Sequence, residues 1–126
     1  MFEHGSLVGF IASTDIEAAR SFYVGALGLA VIDENPFALV VDGHGATVRI
    51  TKVDDAVVAP YTVLGWEVDD IATTVAQLAA AGIAFERFPG MTQDDAGVWE
   101  APGGARVAWF KDPEGHVLSV TQQPAP

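Results

Sequence analysis

The sequence predicts an α+β protein built from two copies of one βαβββ module. Three observations predict it. The chain repeats itself, each copy holds one helical stripe bounded by an acid and a glycine, and the remaining apolar stretches end at turn residues as strands do. The copies are "VGFIASTDIEAARSFYVGALGLAVI" at 8–32 and "VLGWEVDDIATTVAQLAAAGIAFE" at 63–86. Asp15-Ile16 matches Asp70-Ile71, and Gly28-Leu29 matches Gly82-Ile83. Further on, "ALVVDGHGATVRI" at 38–50 aligns without gaps on "AWFKDPEGHVLSV" at 108–120, so that Asp42 meets Asp112, Gly45 meets Gly115 and Arg49 meets Ser119. The offset grows from about 55 to about 70 residues between the two alignments. The second copy therefore carries about 15 extra residues within "FPGMTQDDAGVWEAPGGAR".

Each element has a local reason. The first strand of each copy is a short apolar stretch ending before an acid. Thr14-Asp15-Ile16-Glu17 fits a capping box, after which Ile16, Ala19, Phe22, Tyr23, Ala26 and Leu27 form a stripe at helical spacing. Gly28 stops that helix. In the second copy Asp69 or Asp70 can cap, Ile71, Val75, Leu78 and Ala79 form the stripe, and Gly82 ends it. A strand follows each glycine. "DGHG" and "DPEG" then join the last two strands of each copy: Pro113 presets φ, while Gly45 and Gly115 permit φ > 0. One copy alone leaves a sheet face bare, so two copies must pack together or curl into a shared cup. The modules are placed at 5–53 and 60–123, in a single domain over 1–126.

Composition narrows the function. Half of the 126 residues are hydrophobic and 18% are charged, which suits a packed core. Seventeen acids against six basic residues leave a net charge of −11, which repels nucleic acid and anionic membranes. No apolar run reaches the ~18 to 20 residues needed to cross a bilayer. The start "MFEHGSLVGF" lacks a basic segment followed by a long apolar one, so no secretion signal is expected. The absence of cysteine excludes disulfides, thiolate zinc sites and a cysteine nucleophile, and fits a cytoplasmic protein.

The two βαβββ modules, the segment "DIEAARSFYVGALGL" and the closing "FKDPEGHVLSV" resemble the vicinal oxygen chelate superfamily of glyoxalases, bleomycin-resistance proteins and dioxygenases. The resemblance implies eight strands curving round a cleft, a homodimer and, in many members, a divalent metal. It places the metal ligands early on the first strand and on the last strand of each module. Carried over, those positions hold Val8, Arg49, Val63 and Ser119. Valine offers no lone pair, arginine is a fixed cation with no acceptor, and one serine hydroxyl cannot hold a divalent ion. A one-residue shift in strand register brings no better ligands. His4, His44 and His116 fall in the N-terminal tail and in the two turns. No metal and no other cofactor is therefore expected.

Strand alternation gives the expected lining of the cleft. Phe10 and Ala12 go with Val8, Gly65 and Glu67 with Val63, Thr47 and Thr51 with Arg49, and Val117 and Thr121 with Ser119. The resemblance implies that Trp109 shares that parity, because the family often places a ligand-contacting aromatic three residues before the "DP" aspartate; its counterpart in the first copy is Leu39, and Phe37 lies two residues earlier. Arg49 could clamp a carboxylate or phosphate, or pair structurally with Glu67 or another acid. Trp109 could meet a ligand or fill the core, and Trp66 points towards the helix. Trp99, inside the insert, could line the mouth of the pocket or seal a dimer contact. Glu67 is a candidate general base if it is buried. Two functions stay open beside a catalytically silent dimerisation module. One is a metal-independent binding protein that sequesters or senses a small organic ligand. The other is a glyoxalase-like lyase or isomerase, or a dioxygenase-related enzyme, acting on a small oxygenated substrate.

Overall fold

The structure, a computed structural model, describes residues 1–126. The chain forms two compact units, Met1–Val57 and Val58–Pro126, each holding one predicted module.

In the first unit, β1 (Val8–Ser13) leads into α1 (Ile16–Arg20), a π-helical segment (Ser21–Ala26), and then β2 (Val31–Asn35), β3 (Ala38–Asp42) and β4 (Thr47–Lys52). The sheet order is β1-β4-β3-β2, with β1 parallel to β4 and the other pairs antiparallel. The helix cap is Asp15 rather than Thr14: the Asp15 carboxylate accepts from the Ala18 amide at 3.1 Å, so the Thr14–Glu17 box is not the device used. The helix also widens where the stripe predicts regular α geometry. The Leu27 amide donates to the Phe22 carbonyl, five residues back, at 2.9 Å. A wider turn brings consecutive side chains closer to one face. Here Phe22 and Tyr23 both go inside, their rings 4.9 Å apart and edge-on. Tyr23, Leu39, Val41, Val48 and Ile50 are essentially fully buried and make the core of this unit. Each such side chain contributes about 1.5–3 kcal/mol by leaving water.

In the second unit, β5 (Thr62–Glu67) precedes α2 (Ile71–Ala80), then β6 (Trp99–Glu100), β7 (Arg106–Lys111) and β8 (Val117–Gln122), in the order β5-β8-β7-β6. Asp70 caps α2, accepting from the Thr73 amide at 3.1 Å and the Thr73 hydroxyl at 2.8 Å. Those two bonds hold its carboxyl below the usual range. Gly28 and Gly82 end the two helices at φ 73° and 93°, as the repeat requires. Ile71, Phe110, Leu118 and Ala108 are buried to 1% exposure or less, and Val75 and Val120 to 3%.

The strand expected directly after α2 is split. Phe85 forms a single bridge to Phe110, and the edge resumes at Trp99–Glu100, which pairs with Val107 and Arg106. The extra residues of the second copy thus interrupt the edge strand instead of following it.

The gapless alignment of the two hairpins fails by one residue. Gly43 and Ala46 close a two-residue turn in the first unit, with His44 at φ 61° and Gly45 at φ 112°. Positive φ at both central residues is what a primed two-residue hairpin needs. In the second unit Asp112 and His116 close a three-residue loop. Ser119 pairs with Trp109, but Arg49 pairs with Val40, not Leu39. Leu39 belongs to the opposite face and is fully buried.

Candidate functional site

Strand register decides which residues share a face, because side chains directly opposite each other project the same way. In the second unit one face carries Leu118, Val120, Ala108 and Phe110, packed with α2. The other carries two rows: Gly65, Ser119 and Trp109, then Glu67, Thr121, Val107 and Trp99. Ser119, Trp109, Glu67 and Trp99 thus come together on one surface. Val63 sits at an irregularity between Thr62 and Leu64, which takes it out of strict alternation with Gly65 and Glu67.

Three aromatic rings cluster on that surface. Trp99 lies 6.0 Å from Trp109, tilted by 36°, and Phe88 meets Trp109 edge-on at 5.3 Å. Both separations are in the range where ring quadrupoles attract. Ser119 is 8% exposed, and its hydroxyl fills the space above Gly65: a Cβ added at Gly65 would lie 2.6 Å from Ser119 Oγ. Glycine at this position lets the hydroxyl lie flat against β5. Glu67 is exposed, so the burial that a general base there would need is missing.

The insert is tied down by one side chain. Gln93 Nε2 donates to the Glu86 carbonyl at 2.9 Å and the Gly97 carbonyl at 2.8 Å, and Gln93 Oε1 accepts from the Phe88 amide at 2.9 Å. Gln93 also bridges to Trp99 through the backbone. Arg87 adds bonds to the Asp94 and Asp95 carbonyls, both 2.8 Å, and Asp94 Oδ1 accepts from the Ala96 and Val98 amides. The loop that holds Phe88 and presents Trp99 is therefore a fixed structure. Sequence reasoning missed Phe88 and Gln93. Both lie where the first copy has no counterpart, so the repeat gives no parity for them.

In the first unit the corresponding face holds Val8 and Thr47, then Phe10, Arg49 and Val40, then Ala12, Thr51, Ala38 and Asn35. Phe37 does not join it. It precedes β3 in a turn where Asn35 Oδ1 accepts from the Phe37 and Ala38 amides, and it is 73% exposed. No acid of the unit makes an ion pair with Arg49.

The four positions that the resemblance assigns to metal ligands hold Val8 and Val63, both more than 40% exposed, with Arg49 and Ser119. No group of three or more His, Asp or Glu side chains is placed to hold a metal ion. The residues present do not fit a divalent metal. The histidines do turn work: the His116 amide donates to Asp112 Oδ1 at 2.9 Å, and the His44 amide donates to Asp42 Oδ1 at 2.9 Å. No helix is long and apolar enough to cross a membrane.

Comparison with known proteins agrees with this architecture. The chain is similar to a glyoxalase/bleomycin resistance protein/dioxygenase from Alicyclobacillus acidocaldarius, at 20% identity and TM-score 0.72, covering 99% of this chain and 96% of that one. It is similar to a glyoxalase family protein from Enterococcus faecalis, at 23% identity and TM-score 0.68, covering 96% and 99%. It is also similar to lactoylglutathione lyase from Agrobacterium tumefaciens, at 17% identity and TM-score 0.70, covering 92% and 91%. Identities this low speak to the fold. No curated protein sequence matches significantly. The sequence model of one family matches residues 6–120, nearly the whole chain, and the chain belongs to that family, the Glyoxalase/Bleomycin resistance protein/Dioxygenase superfamily.

Proposed function

We propose that the chain is a small-molecule-binding protein that takes up a flat organic ligand without a metal, sequestering or sensing it. The observation that carries this reading is the Phe88–Trp109–Trp99 cluster on the sheet face opposite α2, beside Ser119 and Glu67. A few placed polar groups against apolar and aromatic walls are what small-molecule sites use. The donor set at the family's metal positions supports a metal-free mode, since two aliphatic side chains, a guanidinium and one alcohol make a poor cage for a cation. Glu67 and the net charge of −11 favour a ligand that is neutral or cationic where it meets the aromatic face. The reading includes a cytoplasmic homodimer; the dimer is an expectation that comes from the family resemblance, and size-exclusion chromatography of the purified protein tests it.

The competing reading is a glyoxalase-type lyase or isomerase, favoured by the likeness to a lactoylglutathione lyase. One experiment separates the two. Purified protein is analysed for bound metal and titrated with planar aromatic amines and amides while tryptophan fluorescence is followed. Turnover of a methylglyoxal–glutathione hemithioacetal is measured in parallel. Saturable quenching that Trp109→Ala abolishes, with no turnover, supports binding. Stoichiometric nickel, zinc, manganese or iron, together with turnover, would overturn the proposal.

A further inference from the structure

The first unit carries a feature that the aromatic face does not explain. Arg49 projects from β4 between Phe10 and Val40, on the side of the sheet away from its core. The chain has 17 acids and six basic residues, yet no acid of this unit lies within 4 Å of its guanidinium. The other arginine of this unit, Arg20, is paired with both Glu17 and Glu34. Two acids do share the open face, Asp33 and Asp42, and both are engaged: Asp33 accepts from the Asn35 amide side chain and Asp42 from the His44 amide. Arg49 is partly buried, and a guanidinium has five donors to satisfy.

A second group on the same face is also unanswered. Thr51 lies two residues along β4, flanked by Ala12 and Ala38, and its hydroxyl is buried with no hydrogen-bond partner. A buried polar group without a partner is destabilising and calls for an explanation. On the other side of Arg49, Thr47 adds a further hydroxyl to the same face.

We propose that Arg49, with the hydroxyls of Thr47 and Thr51 beside it, forms a carboxylate-binding site on the open face of the first unit. The forked guanidinium takes the two oxygens in parallel, and a threonine hydroxyl donates to one of them. A carboxylate suits the site better than a phosphate. One guanidinium balances one negative charge, the neighbours Phe10, Val40 and Val8 are apolar, and a dianion would meet Asp33 and Asp42 with nothing to offset it. The observations behind this site come from the first unit alone.

The test follows the Arg49 Nε–H signal in 15N–1H spectra of the full chain, assigned by its loss in Arg49→Gln. The probes are benzoate, the neutral benzamide and inorganic phosphate. Benzoate is expected to shift the signal saturably, at least tenfold more tightly than either other probe, and Arg49→Gln is expected to remove that preference. Thr51→Val serves as a second variant. It is expected to raise the thermal midpoint, because it removes the unanswered hydroxyl, and to weaken benzoate binding several-fold. Benzoate and benzamide binding alike, phosphate binding more tightly, an absence of any saturable shift, or a Thr51→Val variant that loses stability and keeps its benzoate affinity would each overturn the proposal.

Discussion

Replacing Gln93 by alanine tests whether one side chain holds the insert and, through it, the aromatic face. The amide makes three hydrogen bonds, to the Phe88 amide and to the Glu86 and Gly97 carbonyls, all between 2.8 and 2.9 Å. Each such bond contributes about 0.5–1.5 kcal/mol net. All three are partly buried, so water recovers some of the loss, and a cost of about 2 kcal/mol follows. At about 4 °C per kcal/mol for a chain of this size, the thermal midpoint should fall by roughly 8 °C. The insert also places Phe88 against Trp109 and presents Trp99, so the near-ultraviolet circular dichroism of the tryptophans should weaken in the folded variant. Gln93→Glu sharpens the test. Its carboxylate still accepts from the Phe88 amide but turns acceptors towards two carbonyl oxygens, so it should be no more stable than the alanine variant. A midpoint within 2 °C of the parent, with an unchanged tryptophan spectrum, would refute the idea that Gln93 pins the loop.

Three further outcomes are expected. Gly65→Ala puts a Cβ 2.6 Å from Ser119 Oγ and should cost about 1–3 kcal/mol, whereas the double variant Gly65→Ala/Ser119→Ala removes the obstructing hydroxyl and should recover most of it; urea midpoints of the three proteins decide. Because the folded protein holds the Asp70 carboxyl below its ordinary value of 3.8, its cap contributes fully above that pH and is lost as pH falls through the lower folded value, so Asp70→Ala should flatten the acid limb of the stability curve below pH 3.8. His44 occupies the left-handed region at φ 61°, and His44→Gly should raise stability by up to about 1 kcal/mol without changing the hairpin, read by the thermal midpoint and the amide spectrum.

What the sequence made legible was mostly what the duplication repeats: Gly28 and Gly82 end the two helices with positive φ, and the aligned acids Asp15 and Asp70 cap them through the same i+3 amide, although the capping box pointed to Thr14 in the first copy and left Asp69 open in the second. Trp109 shares the face of Ser119, the parity that the family resemblance gave it. Leu39 was misplaced because "DGHG" and "DPEG" look alike as letters yet close turns of two and three residues, and one residue is enough to turn a strand over. Phe37 fell with it. Phe88 and Gln93 were beyond reach for a different reason: a loop unique to one copy has neither a counterpart nor a period from which to read a direction.

The same contrast explains how one module came to serve two kinds of surface. The backbone of each unit is fixed by a capped helix over a four-stranded sheet, and most of the large buried side chains that enforce it lie on one face. The other face is free to differ. In the second unit the interrupted edge strand brings Phe88 and Trp99 to Trp109. In the first unit Val40 occupies the position of Trp109, no insert is present, and the place matched to Ser119 holds Arg49. Grafting Trp at Val40 would therefore not recreate the aromatic surface, because the rings that flank Trp109 come from the insert and not from the repeat. The two copies agree on the face that packs the core and part company on the other, which is where the aromatic rings and Arg49 lie.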